Sequence, residues 1–294
     1  MRAILVALLV SGLPASAADF VYQNAIAQWR AHHEAELKAE NGWLTVVGLD
    51  WLKEGANRVG SNPSYEVPLP TGTPQNLGVI TLAKGKAHFV PAAGTSAIIN
   101  GQPARAMDLR PQNDAGYDTV TVGRVNFFLI EREDKLAVRV KDNDAASRKN
   151  FSGERWYPAD PSWRIQADWV AWDKPHPLIF DTAVGIKEPD QSPGYARFTR
   201  NGQEYRLEPV TEDDHLFFVM RDLTSGKTTY AASRFLYAPL PKDGPRGKTV
   251  ELDFNKAENP PCVYTDFATC PLPPPQNRLK LEVAAGELMY GAHH

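Results

Sequence analysis

The chain has 294 residues, of which 43% are hydrophobic and 23% are charged, and its formal net charge is −3. This composition is that of a globular protein of one large domain or two ordinary ones. The nearly balanced charge offers no basic surface of the kind that binds nucleic acid or an anionic membrane, so neither partner is expected.

The first 18 residues have the parts of a secretory signal peptide. One basic residue, Arg2, precedes an apolar run from Ala3 to Val10, and the small residues Ala15-Ser16-Ala17 follow. The apolar run is much shorter than the ~20 residues that cross a bilayer. We therefore predict a signal peptide over residues 1–18 and a soluble protein in the periplasm or outside the cell, without a membrane span.

A helix is predicted over residues 24–40, where apolar residues recur near a 3.6-residue period and an Asn-Gly pair follows as a stop signal. The pattern favours an amphipathic helix that packs over a sheet edge, rather than a role for His32 and His33 as ligands. The apolar positions are Ile26, Trp29 and Leu37.

Beyond this helix the pattern changes to a period of two, which is typical of strands with one buried face. In "KLAVRVKD", Leu136, Val138 and Val140 share one face, and Arg139 and Lys141 share the other. Short strands without helices between them predict a mainly β fold with two antiparallel sandwich or barrel-like domains. The same alternation occurs in "TVTVG", "HLFFVMRD", "TVELDF" and "RLKLEV".

Residues 55–150 resemble the forkhead-associated β-sandwich in layout, with a glycine turn before a strand, an Asn-Gly turn at Asn100-Gly101 and a late Val-Gly pair. Those domains recognise phosphopeptides through an Arg after the first glycine and a Ser three residues before a His. This chain has Ser61 and Gly85 at those places, so phosphothreonine recognition is not expected. The predicted division of the chain is a signal peptide at 1–18, a helix and lead-in at 19–54, this sandwich at 55–150 and a C-terminal β domain at 151–294.

A candidate polar site lies around the segment "MRDLTSGKTTYAASRFLY". We expect a hairpin turn near Ser225-Gly226 between two strands, with Asp222 at the end of the first strand and Tyr230 and Arg234 on the second. Arg234 then has largely apolar neighbours, where an unpaired charge is costly. Either a carboxylate partner or an anionic ligand would satisfy its guanidinium group.

The segment "DFNKAENPPCVYTDFATCPLPPP" contains both cysteines, Cys262 and Cys270. No histidine lies close in sequence, which disfavours zinc, and an oxidising compartment disfavours a nucleophilic thiol. The spacing favours a disulfide that closes a short loop, worth about 2.5 kcal/mol. In that interpretation the cysteines and prolines form a rigid frame that presents the polar residues of the segment.

These residues define the predicted site. Asp253 would be a general base and Arg234 an anion clamp, while amide side chains orient a ligand. No cofactor is predicted, although Ca²⁺ is possible among the same oxygens. Predicted ligand-binding residues are Asp222, Tyr230, Asn255, Asn259 and Asn277.

The motif "DFN…NPPC…CPLPP…N" and the segments "RVKDNDAASRKNFSGERWYP" and "RDLTSGKTTYAASRFLY" resemble a bacterial and archaeal domain-of-unknown-function family, numbered 1684. The family pattern has Tyr where this chain has Glu258, and Gly-Gly where it has Ala232-Ser233. The resemblance implies an exported β-rich protein and no particular reaction. We expect a protein that binds a small or anionic ligand, either a small molecule or a component of the cell envelope, through a polar site in the C-terminal domain. The alternative is a hydrolase-like enzyme that uses Asp253, Arg234 and the neighbouring Asn residues.

Overall fold

The computed structural model shows a mainly β protein with several antiparallel sheets and one long N-terminal helix, which confirms the predicted fold class. The predicted signal peptide lies largely outside the described residues, since only Ala17 and Ala18 of it are described. The structure describes residues 17–113, 115–182, 184–242, 244 and 247–291.

Helix α1 (Ala17–Lys38) begins earlier than predicted and buries Ile26 and Leu37. Its contacts are mostly with the C-terminal half of the chain. The Arg30 guanidinium donates to the carbonyl oxygens of Tyr157 and Asn255 at 3.0 and 3.2 Å. Among the described residues, no helix is both long enough and apolar enough to cross a membrane.

The N-terminal half contains two sheets that pack face to face around one core. Strand alternation accounts for this core, because Val138 and Val140 point into it between the sheets together with Ile80 and Phe89. One sheet has the order β1-β11-β10-β9-β6-β7 and the other β3-β2-β4-β5-β8, with β2 and β3 parallel. The strands are β1 (Val46–Trp51), β2 (Gly55–Gly60), β3 (Val67–Pro68), β4 (Gly78–Ala83), β5 (Lys86–Pro91), β6 (Ile98–Ile99), β7 (Gln102–Pro103), β8 (Met107–Leu109), β9 (Thr119–Val122), β10 (Val125–Arg132) and β11 (Lys135–Asp142).

The short helix α2 (Ala146–Lys149) leads into the C-terminal half, which has a four-stranded sheet, β14-β13-β12-β18, and a three-stranded sheet, β15-β16-β17. Apolar side chains from both sheets share one core. The strands are β12 (Arg164–Asp181), β13 (Lys187–Arg200), β14 (Gln203–Leu207), β15 (Val210–Glu212), β16 (His215–Met220), β17 (Arg234–Pro239) and β18 (Thr249–Asp253).

Two predictions about strands in this half are wrong. The strands on either side of Asp222 and Tyr230 have bounds other than those predicted, and one predicted strand does not form. Strand β16 ends at Met220 and β17 begins only at Arg234, so Asp222 and Tyr230 lie in the connection. The segment "RLKLEV" forms no strand. Its backbone instead pairs irregularly with that connection, as in the bonds from Leu223 N to Leu281 O and from Leu279 N to Arg221 O.

After β18 the described chain has no further strand and only short 3₁₀ turns, at Phe254–Lys256, Pro261–Val263 and Pro275–Asn277. This irregular segment nevertheless contributes buried side chains to the C-terminal core. Prolines explain the lack of a ladder, because they have no backbone N–H to donate. The segment is held by side-chain hydrogen bonds, and these determine where the predicted site residues lie.

Candidate functional site

The predicted site residues do not share one pocket, and Arg234 is the clearest case. Its Nη1 atom donates to Asp222 Oδ2 at 2.9 Å, and the two side chains are 1% and 0% exposed. The same guanidinium donates to the carbonyl oxygens of Val283 and Ala285. Of the two partners considered for Arg234, the structure has the internal carboxylate, so neither side chain can reach a ligand.

Asp253 and Asn255 belong to a second network that fastens helix α1. Tyr22 donates to Asp253 Oδ1 at 2.7 Å, and Asn255 Nδ2 donates to the Tyr22 hydroxyl at 2.8 Å. Asn255 also exchanges hydrogen bonds with the backbone of Asp160. Burial and Asp253 together raise the pKa of Tyr22 above its usual range. These contacts secure the fold, and a role for Asp253 as a base stays a prediction.

Asn277 forms a third network. Its side chain is fully buried, donates to the carbonyl oxygens of Glu208 and Val219, and accepts from the Glu208 N–H. Both donor hydrogens of the amide, and one of the two lone pairs of its oxygen, are therefore used within the protein. Asn277 connects the irregular segment to the C-terminal sheets.

The two cysteines lie side by side as free thiols. The Cys262 N–H donates to Cys270 Sγ at 3.2 Å. The hydrogen bond between the thiols lowers the pKa of Cys262 and raises that of Cys270. Burial raises the pKa of the Tyr230 phenol, and the adjacent Cys262 adds to that shift. The disulfide stays a prediction.

A cleft of about 700 Å³ lies between the two halves of the chain. Of the predicted residues, Asn259 and Cys270 line it. We call it the interhalf cleft. It has a cationic wall from strands β10 and β11, an aromatic wall from β16 and β17, and a floor where helix α1 meets the irregular segment. Its walls include Arg132, Arg139 and Lys141, then Phe217, Phe235 and Tyr237, and its floor includes His33, Glu258 and Tyr264.

Arg139 is the unusual residue of the cationic wall. It is 4% exposed, its guanidinium lies over the Trp43 ring at 5.0 Å, and its Nε and Nη2 atoms have no hydrogen-bond partner. Among the residues that the structure describes, no carboxylate oxygen lies within 4.0 Å of it. Burial, aided by Arg132, lowers its pKa to about 10. Burying such a charge without a partner is costly.

The other two cationic residues of this wall, Arg132 and Lys141, have polar partners that Arg139 lacks. Arg132 is neutralised by Glu188, with Nε and Oε1 2.6 Å apart. The Lys141 ammonium donates to the Asn41 carbonyl oxygen and lies 5.4 Å from the Phe128 ring centroid. Burial, and then Arg139, lower the pKa of Lys141 to about 8. The wall thus carries uncompensated positive charge at Arg139 and Lys141.

The opposite wall is aromatic. Phe217 stacks with Tyr237 at 4.8 Å between ring centroids and meets Phe235 edge to face at 4.9 Å. The Tyr237 hydroxyl lies 3.4 Å from Glu212 Oε2 at the rim. Burial raises the pKa of Glu212. A ligand in the cleft would therefore meet positive charge on one side and apolar rings on the other.

The floor holds an ionisable cluster, His33, Glu154, Glu258, Glu287 and Tyr264. His33 Nε2 is 3.2 Å from Glu154 Oε1, and its Nδ1 is 3.4 Å from Glu258 Oε2. The Tyr264 hydroxyl donates to Glu287 Oε1 at 2.6 Å and lies 3.2 Å from Glu154 Oε1. Three carboxyl groups thus surround one imidazole in a largely buried space.

Backbone pairing fixes this cluster. Glu154 and Glu287 are brought together because Tyr157 N bonds to Gly286 O and Leu288 N to Arg155 O. The predicted ligand residue Asn259 contributes its backbone N–H to Glu287 Oε2 at 2.6 Å, and its Nδ2 donates to Leu288 O.

Crowded carboxylates shift the titration of the cluster. Burial raises the pKa of Glu258 to about 8 and that of Glu287 to about 7. Burial alone would lower the pKa of His33, but the surrounding carboxylates outweigh it and raise that pKa to about 9. The floor therefore favours a charged His33 imidazole and disfavours ionisation of Glu258 and Glu287.

Sequence reasoning missed Arg139, Lys141 and His33 as site residues, although signals for them existed. The strand pattern placed Arg139 and Lys141 on the polar face of β11, but that face is not open to solvent. The helix pattern left His33 at a polar position, where its neighbours come from segments more than a hundred residues away. The departure from the family pattern at Glu258 was the sharper signal, because it adds a carboxylate beside His33.

The fold and the cleft define a mainly β protein whose halves enclose a polar cavity. Residues 149–288 match the model of a family described as "Protein of unknown function (DUF1684)". The match includes the NPPC and CPLPP motifs and supports the resemblance that they carry. The solution NMR structure of an uncharacterized protein from Haloarcula marismortui is 29% identical, with 50% of this chain and 81% of that chain covered and a TM-score of 0.42. The curated proteins contain no match to the chain.

Proposed function

We propose that this is an exported binding protein whose interhalf cleft takes a small organic anion with an apolar or aromatic part. The single observation that carries the proposal is Arg139, a buried arginine without a carboxylate partner that lines the cleft. A carboxylate or phosphate group on the ligand would supply the missing hydrogen-bond acceptors, for which the planar guanidinium is well suited.

The aromatic wall supports the same class of ligand. Phe217 and Phe235 offer apolar ring surface opposite the cation. Small-molecule sites commonly combine apolar walls with a few polar groups that fix orientation. The volume of about 700 Å³ accommodates a molecule of the size of an aryl phosphate or a larger one.

The hydrolase alternative has less support. It needs Asp253 and Arg234 to act on one substrate, yet they belong to separate internal networks. Asp253 and Arg234 do not share a pocket, and their catalytic roles remain predictions. The binding interpretation needs only the cleft.

Titration calorimetry with benzoate and phenylphosphate tests the proposal. We expect Arg139→Met to weaken binding of the better probe roughly 10- to 100-fold, the equivalent of one lost charge-assisted interaction. Without ligand, the same variant should be at least as stable as the wild type, because the unpaired charge is gone.

Arg110→Met is the matched control, since this exposed arginine lies on another surface and pairs with Asp118. It should leave probe affinity unchanged. Failure of the wild type to bind either anion, or equal binding by Arg139→Met, would contradict the proposal.

A further inference from the structure

We propose that His33, Glu154 and Glu287 bind a divalent transition-metal ion of the Zn²⁺ class at the floor of the interhalf cleft. One ligand atom from each residue lies within 4.8 Å of the other two, so small side-chain shifts would bring all three to the distances of about 2.0–2.2 Å at which Zn²⁺ is bound. The three residues come from helix α1, the segment after helix α2 and the C-terminal segment, so the folded chain alone assembles them.

Unsatisfied atoms give an independent indication of a missing ligand. Among the described residues, Glu154 Oε2 has no hydrogen-bond partner although it is buried, and the Glu154 side chain is 0% exposed. Asn259 Oδ1 is likewise buried and without a partner among them. Buried polar atoms are rarely left unpaired, and a cation would engage the carboxylate and imidazole atoms directly.

The surrounding contacts are those that orient metal ligands. The nitrogen of His33 that faces away from Glu154 lies beside Glu258, which matches the carboxylate–histidine arrangement common behind metal-bound imidazoles. Glu287 is held by Tyr264 and by the Asn259 N–H. Glu154 is held by the Tyr264 hydroxyl at 3.2 Å, so each proposed ligand has a second group that fixes its orientation.

The charge of the cluster and the type of its donor atoms indicate which kind of ion it would bind. Three carboxyl groups converge on a single imidazole, so a dication would offset the repulsion among them. A nitrogen donor with two carboxylates suits Zn²⁺ and related ions, whereas Ca²⁺ and Mg²⁺ prefer oxygen donors alone. Three protein ligands leave a fourth tetrahedral position open, and His33 lies at the cleft surface.

The test uses the full chain after chelator treatment, titrated with Zn²⁺ by calorimetry and with Co²⁺ by visible absorption. We expect one ion per chain. His33→Gln and Glu154→Gln should each weaken Zn²⁺ binding by about 100-fold or more, whereas Glu258→Tyr should weaken it about tenfold. His33→Gln is expected to fold, because this ring is partly exposed on a helix surface, and circular dichroism checks that.

His32→Gln is the matched control, since His32 is the adjacent histidine, exposed, and paired only with Glu36. It should bind Zn²⁺ as the wild type does. A Cys262→Ser/Cys270→Ser variant removes the competing thiol ligands and should also bind normally. Loss of binding in that variant, retention in His33→Gln, or preference for Ca²⁺ would overturn the proposal, and none of these outcomes depends on anion binding at Arg139.

Discussion

Two buried arginines show how the same side chain serves different purposes. Arg234 has Asp222 at 2.9 Å and two backbone carbonyl oxygens, whereas Arg139 has the Trp43 ring and no carboxylate among the described residues. A buried charge paired with a carboxylate is a structural element, and one in a cavity wall without such a partner indicates a ligand. Both arginines are buried, and the presence or absence of a carboxylate partner distinguishes them.

The Arg234–Asp222 pair predicts a large loss of stability on truncation. Arg234→Met leaves Asp222 buried without its cation, so we expect a loss of about 3–5 kcal/mol in the free energy of unfolding. Urea denaturation measures it. Arg221→Met changes an exposed neighbour and should stay within about 0.5 kcal/mol of the wild type. Equal effects of the two substitutions would show that the pair is not a structural element.

Lys141 predicts a pH dependence of anion binding. Its ammonium is charged below a pKa of about 8 and neutral above it, so attraction for an anion is lost as the pH rises through that value. Affinity for benzoate, which stays ionised throughout, should therefore fall between pH 7 and pH 9 in titration calorimetry. Lys141→Arg should make the step smaller, leaving the part that ionisation of Glu258 in the same cleft contributes. A flat profile for the wild type would exclude Lys141 from the site.

At the scale of elements, the irregular segment after β18 depends on close backbone approaches. Gly286 has φ of +80°, and a Cβ atom there would lie 2.4 Å from the Ala257 carbonyl oxygen and 2.7 Å from Arg234 Nη2. Gly286→Ala should therefore destabilise the protein by about 2 kcal/mol or more, measured by urea denaturation.

Gly291 is the control that separates the cost of backbone strain from the cost of a steric clash. It also has a positive φ, +67°, but nothing lies within 4 Å of an added Cβ atom. Gly291→Ala should cost only about 1 kcal/mol, the conformational part of the effect. If Gly286→Ala cost no more than this control, the close packing of the segment against Arg234 would be of no energetic importance.

The cysteine loop predicts a difference between oxidised and reduced protein. Cys262 and Cys270 are adjacent, so oxidation requires little movement, and a disulfide across this loop would add about 2.5 kcal/mol. Protein recovered from an oxidising compartment should show no free thiols, and reductant should lower its urea midpoint. Two reactive thiols in native exported protein would contradict the disulfide.

Strand β11 shows how far the sequence predicts the element and where prediction stops. Period-two alternation correctly separated Val138 and Val140 from Arg139 and Lys141, because pleating alone fixes those faces. What covers the polar face depends on strands β16 and β17, about eighty residues later. No local pattern encodes that contact, so the cleft was not predictable.

The DFN and NPPC motifs show a related limit. The predicted site residues Asn255, Asn259 and Asn277 are each highly buried and hydrogen-bonded. Their spacing in sequence suggested one site, but Asn255, Asn259 and Asn277 bond to different distant segments. Only the tertiary structure distinguishes residues that brace a loop from residues that meet a ligand.

At the scale of the whole molecule, helix α1 completes the C-terminal half from the other end of the chain. Tyr22 bonds to Asp253, Arg30 to the backbone of Asn255, and His33 faces Glu258. Just beyond the helix, the Asn41 carbonyl oxygen accepts from Lys141 in the N-terminal half. The helix and the residues just after it therefore connect both sides of the interhalf cleft.

These contacts predict that a chain without α1 is less stable, and that the helix added as a separate peptide restores part of the lost stability. Without residues 19–38, Glu154, Glu258 and Glu287 lose the imidazole between them, and the apolar surface under Ile26 and Leu37 becomes exposed. The shortened chain should have a lower thermal midpoint, and a peptide of residues 19–38 should bind it saturably and raise that midpoint. The same peptide with Arg30→Ala and Leu37→Ala should bind at least about tenfold more weakly, since it loses two guanidinium bonds and a buried side chain. A shortened chain as stable as the full one, with no affinity for the peptide, would mean that the helix is an appendage rather than part of the C-terminal half.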